Sequence, residues 1–283
     1  MNIQKVGVLG SGIMGSGIAE VVAGAGAEVV VRSRSQATAD AMLAALEKSL
    51  AKQVEREKRT RAEADALLAR VRATTRIHDL ADCDLVIESV VEDLDVKRSL
   101  FNELNHVINP DAILATNTST LSVIELAMET SRPERVCGIH FFNPAPAMSL
   151  VEVVRPLCAS DDTIEAVTDF VRACGKEPVA VKDQAGFVVN ALLFHLNNAI
   201  RLLEQGVATR EGIDTAMKGG CGFPMGPFAL LDLVGLDTSL AILDALYAEF
   251  ADPNFAPMPL LRRMVSAGLL GRKSGSGFYD YGR

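Results

Sequence analysis

Short apolar runs alternate with longer amphipathic runs along the first two thirds of this 283-residue chain. The apolar run 5–10 ("KVGVLG") ends in glycine, a small-residue segment with helical spacing follows it, and a second apolar run covers 27–33. A strand, a helix and a strand within about thirty residues form a βαβ unit, in which the two strands are parallel. Further strand-like runs occur at 84–90, 112–118, 135–142, 150–156 and 177–183, with helix-like segments at 94–107, 121–130 and 161–174. The pattern predicts a doubly wound, mainly parallel sheet with antiparallel or mixed strands added late.

Residues 36–72 interrupt this alternation. They are rich in Ala, Leu, Lys, Arg and Glu and contain neither Gly nor Pro. Leu43, Leu46, Leu50 and Val54 recur at helical spacing, which indicates one long helix, followed by a shorter partner. We expect a helical insertion that projects from the sheet.

Strand signals disappear after Asp183. The segment 185–208 carries one long helical pattern that stops near Gly206, and the later apolar segments are also helical in spacing. We therefore place a domain boundary near residue 184. The prediction is a dinucleotide-binding α/β domain, 1–184, with the insertion 36–72, and a smaller all-α domain, 185–283, for substrate binding and dimerisation.

Composition excludes several classes of protein. Hydrophobic residues make up 49% and charged residues 23%, as in soluble globular proteins, and no apolar run is long enough to cross a bilayer. The net charge of −8 argues against nucleic acid as a partner. The chain opens directly on a strand, so we expect a cytoplasmic protein. Five scattered cysteines predict buried reduced thiols and no metal site: Cys83, Cys137, Cys158, Cys174 and Cys221.

The first turn has the pattern G-x-G-x-x-G, at Gly10, Gly12 and Gly15. The first glycine permits a tight turn, the second lets backbone N–H groups approach a pyrophosphate, and the third allows close packing of helix on strand. The pattern follows a strand and opens a helix, whose N-terminus attracts anions. We predict a Rossmann-type domain that binds a dinucleotide, through Gly10, Gly12, Ile13, Met14 and Gly15.

The second strand ends in Arg32-Ser33-Arg34, where an NAD-binding domain usually carries an acidic residue. Serine cannot make the paired, charged contact to the ribose hydroxyls, but it can bond a phosphate that two arginines neutralise. We predict NADP(H) as the favoured cofactor, with NAD(H) as the alternative. The competing interpretation is that both arginines are solvated loop residues.

The segment "GIHFFNPAPAMSLVEVV" places His140 at the end of one predicted strand and Glu152 inside the next. Histidine accepts a proton near neutral pH, and a carboxylate on its other nitrogen fixes the tautomer and stabilises the imidazolium. A satisfied core histidine would give the same pattern, so the pair needs context. His78, His106 and His195 show no such partner and are interpreted as structural.

The context is a family resemblance along almost the whole chain. It is carried by "GSGIMGSGIAE", "DLVIESVVEDLDVKRSLF", "TNTSTLS", "HFFNPAPAMSLVEVV", "GFVVN", "PMGPF" and "GLLGRKSGSGFYDY". In these motifs the chain resembles the L-3-hydroxyacyl-CoA dehydrogenases, especially the bacterial stand-alone 3-hydroxybutyryl-CoA dehydrogenases. The departure is position 33, where the family commonly has Asp.

The resemblance implies a role for each matching residue. His140 is the general base toward the 3-hydroxyl, Glu152 orients it, and Ser119 bonds the substrate oxygen beside the nicotinamide. Asn190 completes the polar ring around the reacting carbon. The remaining positions match cofactor contacts: Glu92, Lys97, Asn143 and Lys273.

A basic island at 48–61 ("KSLAKQVEREKRTR") has six cations and two acids in a chain of net charge −8. It suits the phosphates of coenzyme A, and the resemblance places Ser49, Lys52 and Arg56 against this carrier. The alternative is a solvated face with ordinary i,i+4 ion pairs. "FPMGPF" offers an apolar wall for the acyl group, but a packed helix junction explains it equally well.

The leading hypothesis is an oxidoreductase that interconverts (S)-3-hydroxybutyryl-CoA and acetoacetyl-CoA. One alternative keeps the fold and acts on a free hydroxy acid or sugar acid. Another is a non-catalytic dinucleotide-binding protein, which four intact catalytic positions disfavour. Apolar helices after residue 184 predict a homodimer through that region.

Overall fold

The computed structural model describes residues 3–282 of the chain. The described chain divides between Asp183 and Gln184 into two compact units. No helix in the described range is both long enough and apolar enough to cross a lipid bilayer.

The first unit is built on one eight-stranded sheet in the order β3-β2-β1-β4-β5-β6-β7-β8. Every neighbouring pair is parallel except β6 and β7, which are antiparallel. The predicted Rossmann-type sheet with late antiparallel additions is thereby confirmed. The strands are β1 Lys5–Leu9, β2 Glu28–Arg32, β3 Val71–Thr74, β4 Leu85–Glu88, β5 Ile113–Thr116, β6 Val136–Phe141, β7 Leu150–Arg155 and β8 Glu177–Lys182.

Helices cover the faces of this sheet, and its inner strands are therefore buried and apolar in sequence. Val6, Val8 and Leu9 of β1 have no exposed surface, because helices lie on the faces of a parallel sheet. The edge strand β8 is instead largely exposed, and its sequence is accordingly mixed. The helices of this unit are α1 Ile13–Gly24, α2 Gln36–Glu55, α3 Arg61–Ala69, α4 Leu94–Val107, α5 Val123–Ala127 and α6 Asp161–Ala173.

The predicted insertion 36–72 needs two corrections. Its last residues, 71 and 72, belong to β3, which pairs in parallel with β2. The helices α2 and α3 therefore form the crossover that connects β2 to β3, rather than an insertion added to the sheet. Met42, Leu46 and Leu50 are each 3% exposed and pack into the core of the unit. The sequence lacks a turn signal before "VRAT", so periodicity alone could not separate this strand from the helix.

The second unit is helical. Its elements are α7 Val189–Leu193, α8 Asn197–Glu204, α9 Arg210–Cys221, α10 Pro227–Val234, α11 Leu236–Phe250 and α12 Pro259–Ser266. The prediction of one continuous helix to Gly206 was wrong, because a 3₁₀ turn at Phe194–Leu196 separates α7 from α8. Next to this turn the fully buried Asn197 amide donates to the carbonyls of Asn254 and Ala256. The hydrogen bonds of Asn197 to this distant segment thus accompany a break in the helix that the apolar spacing does not indicate.

The cysteines are free thiols of differing exposure. Cys83 and Cys137 are buried as expected, whereas Cys158 and Cys174 are half-buried and Cys221 is exposed. Burial raises the pKa of Cys137 and Cys174 to about 12. Both thiols are therefore protonated and poorly nucleophilic at neutral pH.

A buried carboxylate fixes the C-terminal segment of the second unit. Asp232 has no exposed surface, and it accepts the N–H groups of Phe278 and Tyr279, both at 2.9 Å. The Tyr281 hydroxyl donates to the same carboxylate at 3.1 Å. This one side chain therefore satisfies three donors of the last ten residues.

Replacing Asp232 with alanine is expected to lower the free energy of unfolding by about 3 kcal/mol or more, because one buried and two half-buried donors lose their acceptor. Urea unfolding followed by circular dichroism measures this change. The exposed Asp280, changed to alanine, is the control and should stay within about 0.5 kcal/mol of the parent protein. Equal stabilities of the two variants would contradict the assignment.

Candidate active site

The glycine-rich turn has the geometry that a pyrophosphate needs. Gly10 has a φ of 108°, in the region that favours glycine, and a Cβ there would lie 2.3 Å from the Ser89 carbonyl oxygen. A Cβ on Gly15 would lie 2.0 Å from the Gly10 carbonyl oxygen, so the helix could not pack this closely. A Cβ on Gly12 would meet nothing within 4 Å, and no side chain caps α1. Open space thus faces uncapped N–H groups, with Ile13 80% exposed beside them.

At the end of β2, Ser33 is only 2% exposed and its hydroxyl already has protein partners. Its Oγ lies 2.7 Å from Ser11 Oγ and 2.5 Å from Thr38 Oγ1. The expectation that Ser33 itself bonds a phosphate is therefore weakened. Of the neighbouring cations, Arg34 is exposed and Arg32 is half-buried, with its Nε out of reach of solvent.

A buried ion-pair network joins the ends of β4 and β5. Lys97 has no exposed surface, and its Nζ lies 2.7 and 2.8 Å from the two carboxylate oxygens of Glu88 and 3.2 Å from Glu92. Glu92 accepts the Ser119 N–H at 2.9 Å and the Thr118 hydroxyl. Among residues 3–282 the Lys97 ammonium meets carboxylates only, so an influence on the cofactor would pass through Glu92. Sequence reasoning missed Glu88, although an acid at the end of an apolar strand was a visible signal.

The predicted base and its carboxylate face each other across the antiparallel pair β6 and β7. His140 Nδ1 lies 2.7 Å from Glu152 Oε2, and the two residues are 5% and 1% exposed. An ionised carboxylate only accepts hydrogen bonds, so Nδ1 carries the proton in the neutral ring and Nε2 is the basic atom. Ser119 Oγ lies 3.2 Å from Nε2. The structure thus brings together three of the four predicted catalytic residues.

The other predicted positions belong to both units. Asn143 follows β6 and is exposed. In the second unit Asn190 lies in α7 and is 8% exposed, while Lys273 Nζ lies 2.5 and 2.7 Å from the carboxylate oxygens of Asp237. Burial raises the pKa of Asp237, but hydrogen bonds from Lys273 and from backbone N–H groups outweigh it and lower the pKa overall.

The basic island lies on α2, α3 and the turn between them. Lys52 and Arg56 are exposed and one helical turn apart, whereas the half-buried Ser49 donates toward Glu20 of α1 at 3.4 Å. In the described part of the chain only Arg61 of this island forms an ion pair, with Asp65. Ordinary i,i+4 pairing therefore leaves most of the positive charge uncompensated.

Comparison with known proteins assigns the family. The 3-hydroxyacyl-CoA dehydrogenase NAD binding domain matches residues 5–184, and the 3-hydroxyacyl-CoA dehydrogenase C-terminal domain matches residues 186–281. The chain belongs to the 3-hydroxyacyl-CoA dehydrogenase family. The predicted resemblance is thereby confirmed, and with it an oxidoreductase that uses a nicotinamide dinucleotide.

Similar proteins cover this family member from end to end. A 3-hydroxybutyryl-CoA dehydrogenase of Mycobacterium tuberculosis is 49% identical over 282 residues, which is 99% of each chain. One from Clostridioides difficile is 46% identical over 99% of this chain and 100% of its own length. The crystal structure of an (S)-3-hydroxybutyryl-CoA dehydrogenase from Ralstonia eutropha has a TM-score of 0.96 at 43% identity, with both chains fully covered.

Proposed function

We propose that this protein interconverts (S)-3-hydroxybutyryl-CoA and acetoacetyl-CoA, with NADP(H) preferred over NAD(H). The observation that carries the proposal is the bonded series Glu152–His140–Ser119, with spacings of 2.7 and 3.2 Å. The names of its relatives in three bacteria support the substrate.

The residues of the first unit fit a dinucleotide. The open cradle at Gly12 and the uncapped start of α1 would hold its pyrophosphate, and the end of β2 would face its adenosine ribose. Bound there, the dinucleotide supplies the hydride acceptor or donor of the reaction.

The protein's own contribution is proton transfer and orientation. In the oxidative direction His140 Nε2 accepts the proton of the 3-hydroxyl while C3 gives up a hydride, so the alcohol becomes a ketone. Glu152, bonded to Nδ1, stabilises the imidazolium that forms, and Ser119 Oγ orients the substrate oxygen. In the reductive direction the imidazolium returns the proton to the new alkoxide.

The preference for NADP(H) rests on the charges at the end of β2. Position 33 lacks the acid that would bond the ribose hydroxyls and repel a 2′-phosphate. Arg32 and Arg34 flank it, and the side chain of Arg34 is exposed and open to a phosphate. Hydrogen bonds to a charged group contribute about 1.5–3 kcal/mol each, and about 1.4 kcal/mol changes an equilibrium tenfold.

A steady-state assay of acetoacetyl-CoA reduction with NADPH and with NADH tests both parts of the proposal. We expect turnover with both cofactors and a kcat/KM at least about tenfold higher with NADPH. Free acetoacetate is the substrate control, because it lacks the carrier. Turnover of the free acid alone would overturn the assignment of the CoA ester, and a preference for NADH would overturn that of the cofactor.

The basic island predicts a salt-dependent contact with the coenzyme A phosphates. Changing Lys52 and Arg56 to alanine should raise KM for acetoacetyl-CoA about five- to tenfold at about 0.01 M ionic strength and much less at 0.15 M, because salt screens exposed charges. The value of kcat should not change.

Two controls sharpen this experiment. A short acetoacetyl thioester without phosphates should have the same KM with the parent and the variant. The double change Lys218→Ala, Arg172→Ala removes the same charge from exposed positions elsewhere and should leave KM unaltered. An equal rise in KM for the phosphate-free thioester would contradict a charge contact.

Homodimerisation through the second unit is part of the proposal. Its helices leave several large apolar side chains at least 40% exposed: Leu202, Phe223, Leu233, Tyr247 and Phe250. Exposed apolar surface of this kind favours association with a second copy. Light scattering after gel filtration should give twice the mass of one chain, and a monomer would contradict the proposal.

A further inference from the structure

Lys176 lies between α6 and β8 and takes no part in the chemistry described above. Its half-buried side chain reaches the loop between β6 and β7, residues 142–149. There its Nζ donates to the carbonyl oxygens of Ala145 at 2.8 Å, Pro146 at 3.3 Å and Met148 at 2.7 Å. An ammonium has three donors, and all three find an acceptor within four consecutive residues of this β6–β7 loop.

The β6–β7 loop touches both halves of the proposed chemistry. At one end the Phe142 ring packs on the His140 ring, with centroids 4.4 Å apart. In its middle Ala145 is 2% exposed and packs on the phosphate-binding helix α1, where a Cβ added at Gly17 would lie 3.2 Å from the Ala145 Cβ. The loop also carries Asn143, a predicted cofactor contact.

The loop holds an arrangement that is unfavourable without a cation. Three carbonyl dipoles point their negative ends toward one position, where they repel one another and need a donor. The His140–Glu152 pair is held separately by the strand register of β6 and β7. Loss of the cation should therefore move the loop and leave the pair in place.

We propose that Lys176 is a positioning residue, whose ammonium gathers the carbonyls of the β6–β7 loop and so places Asn143 for the cofactor and Phe142 against the His140 ring. The inference rests on the proposed function for its kinetic part and for the use of NADPH as the bound cofactor; if the parent protein binds NADH more tightly, the same comparison is made with NADH. Cofactor binding tests it without turnover.

The experiment compares Lys176→Met with Lys176→Arg and with Lys182→Met. Lys182 is an exposed lysine on the adjoining strand β8, and its removal changes the charge equally. Lys176→Met should weaken NADPH binding in calorimetry and lower kcat/KM for NADPH about ten- to hundredfold, since small displacements at a reacting centre have effects of this size. KM for acetoacetyl-CoA should change less than about twofold. Lys176→Arg should restore most of the loss, and Lys182→Met should match the parent.

The outcomes separate this inference from the proposed function. Normal NADPH affinity and kinetics in Lys176→Met would overturn the inference. So would an equal fall in kcat/KM for NADPH and for acetoacetyl-CoA that matches the fraction of unfolded protein in the sample. If Lys176→Met does not fold, weaker NADPH binding by Lys176→Gln than by Lys176→Arg supports the inference, and equal binding overturns it. A parent protein that binds NADPH but does not reduce acetoacetyl-CoA would sink the proposed function, while the binding comparison still decides the role of Lys176.

Discussion

Changing His140 to alanine is expected to lower kcat for acetoacetyl-CoA reduction by about 10²–10⁴-fold, the usual contribution of a positioned acid or base. The basic nitrogen of the buried His140 ring faces Ser119 Oγ, at 3.2 Å. NADPH affinity, measured by calorimetry, should stay close to that of the parent, because the glycine-rich turn follows β1 whereas His140 lies on β6. His106→Ala, at an exposed position, is the matched control.

Glu152→Gln gives the same prediction a sharper form. The amide can donate to Nδ1, which would move the proton of the neutral ring to Nε2 and remove its basic lone pair. We therefore expect a large loss of kcat with the fold intact. Since the two residues act as a unit, the double variant should be little worse than His140→Ala alone. Near-normal turnover by either single variant would remove the catalytic assignment, and additive losses would show that the residues act separately.

Cofactor preference is expected to reverse in the double variant Ser33→Asp, Arg34→Ala. The ratio of kcat/KM for NADPH to that for NADH should fall by about a hundredfold or more, because one cation is lost and a repelling carboxylate is gained. The site can accept this acid, since the hydroxyls of Ser11 and Thr38 lie 2.7 and 2.5 Å from Ser33 Oγ and can donate to a carboxylate.

The two single variants show how much each position contributes to the change in cofactor preference. Arg34→Ala alone should weaken NADPH use and leave NADH use unchanged, while Ser33→Asp alone should improve NADH use. The value of kcat with the better cofactor should be retained throughout. An unaltered ratio in the double variant would return both arginines to the status of solvated loop residues.

The sequence predicted those parts of the structure that depend on local patterning. Buried strands read as apolar runs, and α4 begins and ends at the predicted residues 94 and 107. The short strand β3 was not predicted, because four residues that include an arginine are too few to show a strand pattern. The turn at Phe194–Leu196 also escaped, because the bonds of Asn197 to a segment nearly sixty residues away decide it.

In the candidate site, too, contacts between residues close in the sequence could be predicted, whereas contacts that depend on distant residues could not. His140 and Glu152 could be paired from the sequence, since they lie 12 residues apart on strands that a short loop joins. The hydroxyl network of Ser33 involves Ser11, 22 residues earlier, and no local pattern indicates it. The same holds for the buried pair of Lys97 and Glu88, which forms only once α4 has packed on the sheet.

The strand order places the residues for cofactor preference and the residues for acid–base catalysis far apart in the sheet, so the two properties can change independently. Between β2, at whose end the two arginines lie, and β6, which carries His140, lie β1, β4 and β5. Four steps of about 4.8 Å place the two strands about 19 Å apart, a separation at which the effects of substitutions usually add. A lineage could thus exchange NADP(H) for NAD(H) through a few changes at the end of β2, without altering the acid–base residues on β6 and β7.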